Sequence, residues 1–126
     1  QACQQIIKTN NEIYEITGEY PMYLRPPYGA WPKDLELCVT MLPVFWDVDT
    51  LDWKGLSASE IAARVLGNVK NGSIVLMHNN GEHTLEALPL VLEGLKNKGF
   101  DCVKIGDLIY RENYTIDHTG RQIRST

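Results

Sequence analysis

The stretch Ser73-Ile74-Val75-Leu76-Met77-His78 is bounded by Asn71-Gly72 on one side and by Asn79-Asn80-Gly81 on the other. Four apolar residues between turn signals read as a short, fully buried strand. The strand ends in a histidine. In parallel α/β sheets the ligand crevice lies just past the carboxyl ends of the strands, so His78 is poised for chemistry. The rest of the chain is read by what it brings to that point.

Working outward, Ser57 and Glu60 match a capping box, which predicts a helix before this strand with Ile61, Val65 and Val69 on one face. After the strand, Thr84 reads as a cap. The helix it opens carries Leu85, Leu88, Val91, Leu92 and Leu95 on its apolar face and stops at Gly99. Pro89 predicts a kink there, or a start near Leu88. Residues 102–105 read as a last strand, followed by a short helix over 107–110, and the polar tail 111–126 as a surface segment.

Toward the amino terminus, residues 44–46 read as a strand and 32–42 as a helix ended by Pro43. Residues 22–24 read as a strand leading into the rigid loop Arg25-Pro26-Pro27-Tyr28-Gly29, and 4–17 as a helix stopped by Gly18. Strict alternation of helices and short apolar strands predicts an α/β fold with a parallel sheet.

The 126 residues suit one domain; 44% hydrophobic and 22% charged residues are globular values. A net charge of −4 without a basic stripe argues against nucleic acid as a partner. No run approaches the ~18 apolar residues of a membrane span. The chain opens at Gln1, in helix-like sequence, and reads as a piece of something longer. Cys3, Cys38 and Cys102 lack CxxC spacing and a disulfide framework's density, and read as small buried hydrophobes.

The polar residues gather at the carboxyl ends of three predicted strands: Arg25 and Tyr28; Asp47, Asp49, Asp52 and Trp53; and His78. Neighbouring parallel strands would bring these ends into one crevice. A carboxylate beside an imidazole favours its protonated form and holds one tautomer, which suits a general acid. An arginine keeps a carboxylate ionised as a base, and backbone N–H groups in a rigid loop can hold an oxyanion. The set suits acyl hydrolysis.

Each residue also has a plainer reading. His78 alone is a structural histidine, and Arg25 a buried salt-bridge residue. Asp47 and Asp49 are loop caps. His83 is a surface or helix-start residue, and His118 lies in turn chemistry. Trp46 reads as core, while Trp31 and Trp53 follow loop motifs where they can stack on sugar rings.

RPPYGAW (25–31), WDVDTLDW (46–53) and IVLMH (74–78), with HTLEALPLVLEGLKNKGF (83–100) after them, resemble the last three motifs of the NodB-homology polysaccharide deacetylases, family 4 of the carbohydrate esterases. The resemblance implies that residues 1–110 are the carboxyl-terminal half of such a domain and form a partial (β/α) barrel. In that family a divalent metal, often zinc, activates water against an acetyl carbonyl. The resemblance gives His78 the role of acid and Asp52 that of tuning it. Arg25 positions the base, and Tyr28, next to Pro26, binds the oxyanion through its N–H. Trp53 and Leu76 line the groove and the acetyl pocket. The family's base and metal ligands belong to two earlier motifs that are not in this sequence, so no metal ligand is expected here. Asn79 stands where many relatives have Asp.

The implied activity is removal of N-acetyl groups from N-acetylglucosamine glycans, peptidoglycan or chitin-like, at the cell envelope or outside the cell. The alternatives are an O-acetyl xylan esterase and a non-catalytic glycan-binding or assembly module. Expected partners are the glycan and either the missing amino-terminal half of the domain or a second copy, because four β/α units leave a sheet edge and a core face uncovered.

Overall fold

The helix that the capping box predicts, α3 (Ala58–Asn68), starts where Ser57 Oγ accepts the Glu60 N–H at 3.2 Å and Glu60 Oε2 accepts the Ser57 N–H at 2.8 Å. In the computed structural model, which describes all 126 residues, it connects two parallel strands. These are β3 (Val48–Asp49) and β4 (Val75–Leu76), in register Val48 with Val75 and Asp49 with Leu76. A parallel pair needs such a crossover. Helix α4 (Thr84–Asn97) follows β4 and packs on α3. Ala62 and Val65 of α3 meet Val91 and Leu95 of α4 and Val48 of β3 in one buried cluster, with Leu66, Val69, Val75 and Phe100 packed against it. Apolar surface removed from water stabilises by ~25 cal/mol per Å2, and this cluster is where α3, α4 and β3 bury theirs together.

The chain divides into two compact units, 1–45 and 46–126. In the first, α1 (Ala2–Thr17) ends at Gly18, whose φ of 78° lets its N–H reach Tyr14 O at 2.8 Å. Strand β1 (Tyr23–Leu24) pairs in parallel with β2 (Leu42–Pro43), and α2 (Lys33–Glu36) lies between them. The second unit holds the core just described, α5 (Ile105–Leu108), and an antiparallel hairpin of β5 (Tyr114–Ile116) and β6 (Gln122–Arg124).

Parallel strands separated by helices bear out the α/β class. The strands form separate pairs, and no barrel is closed. Several local expectations need correction. Residues 73–78 are half-buried, because β4 has one neighbouring strand. The helix expected over 32–42 stops at Glu36, and Pro43 sits within β2. Leu42 N–H donates to Met22 O and Val44 N–H to Leu24 O, so the alternation of the ladder never needs an N–H from residue 43. The strand expected at 44–46 is displaced to β2 and β3, and Trp46 is half-buried. Residues 102–104 form no strand, and α5 begins earlier than expected. Pro89 lies inside a continuous α4, where the Leu85 carbonyl that loses a partner belongs to a residue open to water.

The tail expected as a plain surface segment contains the hairpin. Arg121 anchors it by donating to Asp47 Oδ2 at 3.1 Å, to Ser73 Oγ at 3.3 Å and to Asn71 O. Gly120, with φ 89°, closes its turn against the Trp46 carbonyl, where a Cβ would collide. The cysteines were the largest misreading. Cys3 and Cys38 form a disulfide with Cα atoms 6.1 Å apart, and Cys102 is exposed.

Candidate active site

The local sequence turns Asp52 inward. Asp49 Oδ1 accepts the Leu51 N–H at 3.0 Å, which bends the chain just after β3. Leu51 then adopts a left-handed conformation, φ 52°, costing about 1–2 kcal/mol for a non-glycine residue. A single 3-10 turn, Asp52–Lys54, follows, and Asp52 is fully buried at 0% exposure. Because β3 and β4 are parallel and in register, the chain just past β4 brings His78, two residues beyond Leu76, to the level of Asp52.

The two meet through two contacts on the Asp52 carboxylate, and Thr84 adds a third. Asp52 Oδ1 lies 2.7 Å from His78 Nδ1, Oδ2 accepts the His78 backbone N–H at 2.7 Å, and Oδ2 also accepts the Thr84 hydroxyl at 2.6 Å. Burial pushes the Asp52 carboxyl up. The Thr84 hydroxyl and the backbone and ring of His78 outweigh it together, holding the group below its ordinary value of 3.8. An ionised carboxylate only accepts, so Nδ1 of His78 carries the proton that faces it. Nε2 is left for proton exchange. The His78 side chain is 30% exposed. A buried carboxylate orienting a half-open imidazole can hold and deliver a proton at Nε2.

Trp53 follows Asp52 and is 58% exposed, with Lys54 Nζ 5.1 Å from its ring centre. Leu76 is half-buried in β4, where its carbonyl accepts the Thr50 N–H at 3.2 Å. Asp47 and Asp49 serve the loops: Asp47 accepts Ser73 Oγ and the Ile74 N–H as well as Arg121, and Asp49 makes the turn above. His83 lies 3.8 Å from Glu82 and 3.6 Å from Glu86 at the start of α4, occupied by surface carboxylates.

The first unit carries the other predicted residues. Pro26 is buried and Arg25 exposed. Tyr28 is fully exposed and left-handed at φ 57°. The turn's own bonds use the Gly29 and Ala30 N–H groups, donated to Pro26 O and Pro27 O at 3.1 Å, and not that of Tyr28. A left-handed, non-glycine residue whose N–H stands outside the turn's bonds is an observed strain of the kind that gathers at functional positions.

Sequence reasoning missed Thr84. It read as a helix cap, but the cap position falls on His83, without a side-chain cap bond, and the Thr84 hydroxyl turns to Asp52 instead. It also missed Gly81, where an added Cβ would overlap Thr84 Oγ1 and approach Asp52 to 3.2 Å. No three side chains of His, Cys, Asp or Glu gather closely enough to hold a metal ion, so the residues present do not fit the family's divalent metal.

No protein-family model matches the chain. The peptidoglycan-N-acetylglucosamine deacetylase PgdA of Listeria monocytogenes is 38% identical over 108 residues, 86% of this chain and 23% of that protein. The solved structure of the peptidoglycan deacetylase PdaC from Bacillus subtilis superposes with a TM-score of 0.77 at 31% identity, covering 85% of this chain and 53% of that one. A carbohydrate esterase family 4 pseudoenzyme from Bacillus anthracis, BA3943, superposes with a TM-score of 0.77 at 31% identity, covering 84% of this chain and 38% of its own. The chain spans about half or less of each of these three relatives.

Proposed function

We propose, from the premise that most of this chain resembles one half of a NodB-homology, carbohydrate esterase family 4 deacetylase domain, that it supplies the acid half of a polysaccharide deacetylase acting on N-acetylglucosamine glycans. The observation that carries this reading is the Asp52–His78 pair, a buried carboxylate 2.7 Å from the ring of a half-open histidine. An amide is a poor substrate for hydrolysis because its nitrogen leaves as a strong base. A proton delivered from His78 Nε2 as the C–N bond breaks lets it leave as the neutral amine. Asp52 keeps the ring oriented with Nε2 outward.

The other roles follow the resemblance. The Tyr28 N–H binds the oxyanion of the tetrahedral intermediate, Arg25 positions the base, Trp53 stacks on the sugar, and Leu76 shapes the acetyl pocket. The family's metal finds no ligand set among these residues. The Cys3–Cys38 disulfide supports an oxidising location, the cell envelope or beyond.

The test is acetate release from N-acetylglucosamine oligomers by the protein that carries this chain. His78→Ala is expected to lower kcat by roughly 10^2–10^4 while the fold is kept. Full activity in that variant overturns the assignment. An acetyl-xylan arm separates amide from ester hydrolysis. One rival, a non-catalytic glycan-binding module, is raised by the likeness to a pseudoenzyme, which matches as well as the deacetylase PdaC does. That rival is expected to bind the oligomers without releasing acetate.

A further inference from the structure

The turn between β4 and α4 places a second donor on the carboxylate that orients His78. Asp52 Oδ1 faces the imidazole at 2.7 Å. Oδ2 takes two donors, the His78 backbone N–H at 2.7 Å and the Thr84 hydroxyl at 2.6 Å. One donor lies two residues past β4 and the other is the first residue of a 14-residue helix. Two bonds on one oxygen, one of them from a helix start, set the plane of a carboxylate, and setting that plane sets Oδ1 as well.

We infer that Thr84 is a positioning residue for the Asp52–His78 pair, its hydroxyl locking the carboxylate so that Oδ1 stays on His78 Nδ1, with Gly81 keeping open the space this lock requires. The inference rests on the reading of His78 as the acid and goes beyond it, because Thr84 touches no reacting atom.

Three observations support it. Thr84 is not engaged as a helix cap, so its hydroxyl has no competing local role. The backbone passes Asp52 at Gly81 so closely that a methyl group there would occupy the position of Thr84 Oγ1. Among the hydrogen bonds that keep the buried carboxyl ionised against desolvation, that of Thr84 is the largest. The titratable group on Asp52 is the His78 ring; the other contacts named here are neutral, and His83 is turned to Glu82 and Glu86.

The test compares Thr84→Val, which keeps the shape and removes the donor, with Thr84→Ser, which keeps the donor. Carbon NMR follows the Asp52 carboxyl through an acid titration, and nitrogen NMR reads the tautomer of His78. Thr84→Val is expected to raise the Asp52 midpoint and to mix the Nδ1–H tautomer with Nε2–H, and Thr84→Ser to restore both. Should Thr84→Val not fold, Gly81→Ala displaces the same hydroxyl and is expected to give the same two changes. Wild-type titration and tautomer in Thr84→Val or Gly81→Ala overturn the inference. So does a Thr84→Ser protein that behaves as Thr84→Val.

Where acetate release is measurable, Thr84→Val is expected to lower kcat roughly 10-fold with KM unchanged, the size seen for partners that orient an active group. The two readings fail separately. Full activity in His78→Ala removes the acid role even if the Asp52 midpoint moves with Thr84. An unmoved midpoint removes the role of Thr84 even if His78 is essential.

Discussion

At Asp52 one side chain holds together a strand end, a turn and a helix start. Asp52→Asn would put an amide N–H toward donors that need an acceptor. With the residue fully buried, the unmet groups are expected to cost about 1–3 kcal/mol, measured by chemical denaturation at neutral pH. The same contact has a pH sign. The folded carboxyl sits below its unfolded value of 3.8, so the unfolded state binds the proton more readily. Its contribution is whole above that value and is lost as the pH falls through the lower folded one. The stability gap between wild type and Asp52→Asn is therefore expected to narrow on acidification below about pH 4. Reading the strand ends put three carboxylates, Asp47, Asp49 and Asp52, in one crevice with His78, and only the family resemblance singled out Asp52. Neither revealed Thr84. A threonine opening a helix has an ordinary local use as a cap, and only the three-dimensional turn shows its hydroxyl spent elsewhere.

Among the elements, α3 was the easiest to read, since its start is written in local chemistry four residues long. Ser57→Ala removes the acceptor for the Glu60 N–H and is expected to cost about 1 kcal/mol, read as a lowered Tm. Glu60 is held below its ordinary value by the Ser57 backbone and hydroxyl, so this cap too weakens in acid rather than in base. The harder elements are those decided by partners far along the chain. Pro43 looked like a helix stop, yet the parallel ladder uses the N–H groups on either side of it. The final hairpin, β5 and β6, is short and polar and gives no hydrophobic period. Its anchor is Arg121 on Asp47, 74 residues away, a bond that no local window contains. Gly120→Ala is expected to destabilise this hairpin selectively, both through its positive φ and through collision with Trp46. Hydrogen exchange at 114–124 is the measurement.

On the scale of the whole chain, parallel strand pairs with helices between them do not close a barrel. The second unit leaves a cavity of about 520 Å3 lined by Ile74, Val75, Met77, Val91, Leu95 and Phe100 among others. That cavity faces a segment, 101–104, which forms no strand. An apolar space of this size is expected to take up a fluorescent hydrophobic dye, seen as enhanced emission from the native chain. Composition and spacing announced an α/β chain but could not say how far its sheets extend. They also hid the disulfide, because two cysteines 35 residues apart carry no spacing signal and only a folded first unit brings their Cα atoms to 6.1 Å. That crosslink makes residues 3–38 a covalent ring, and the loop of Arg25, Pro26 and Tyr28 lies on its circumference. A protease that cuts after the exposed Lys33, on the same ring, would open a ring rather than sever a chain. The nicked protein would migrate as one band until a reductant is added.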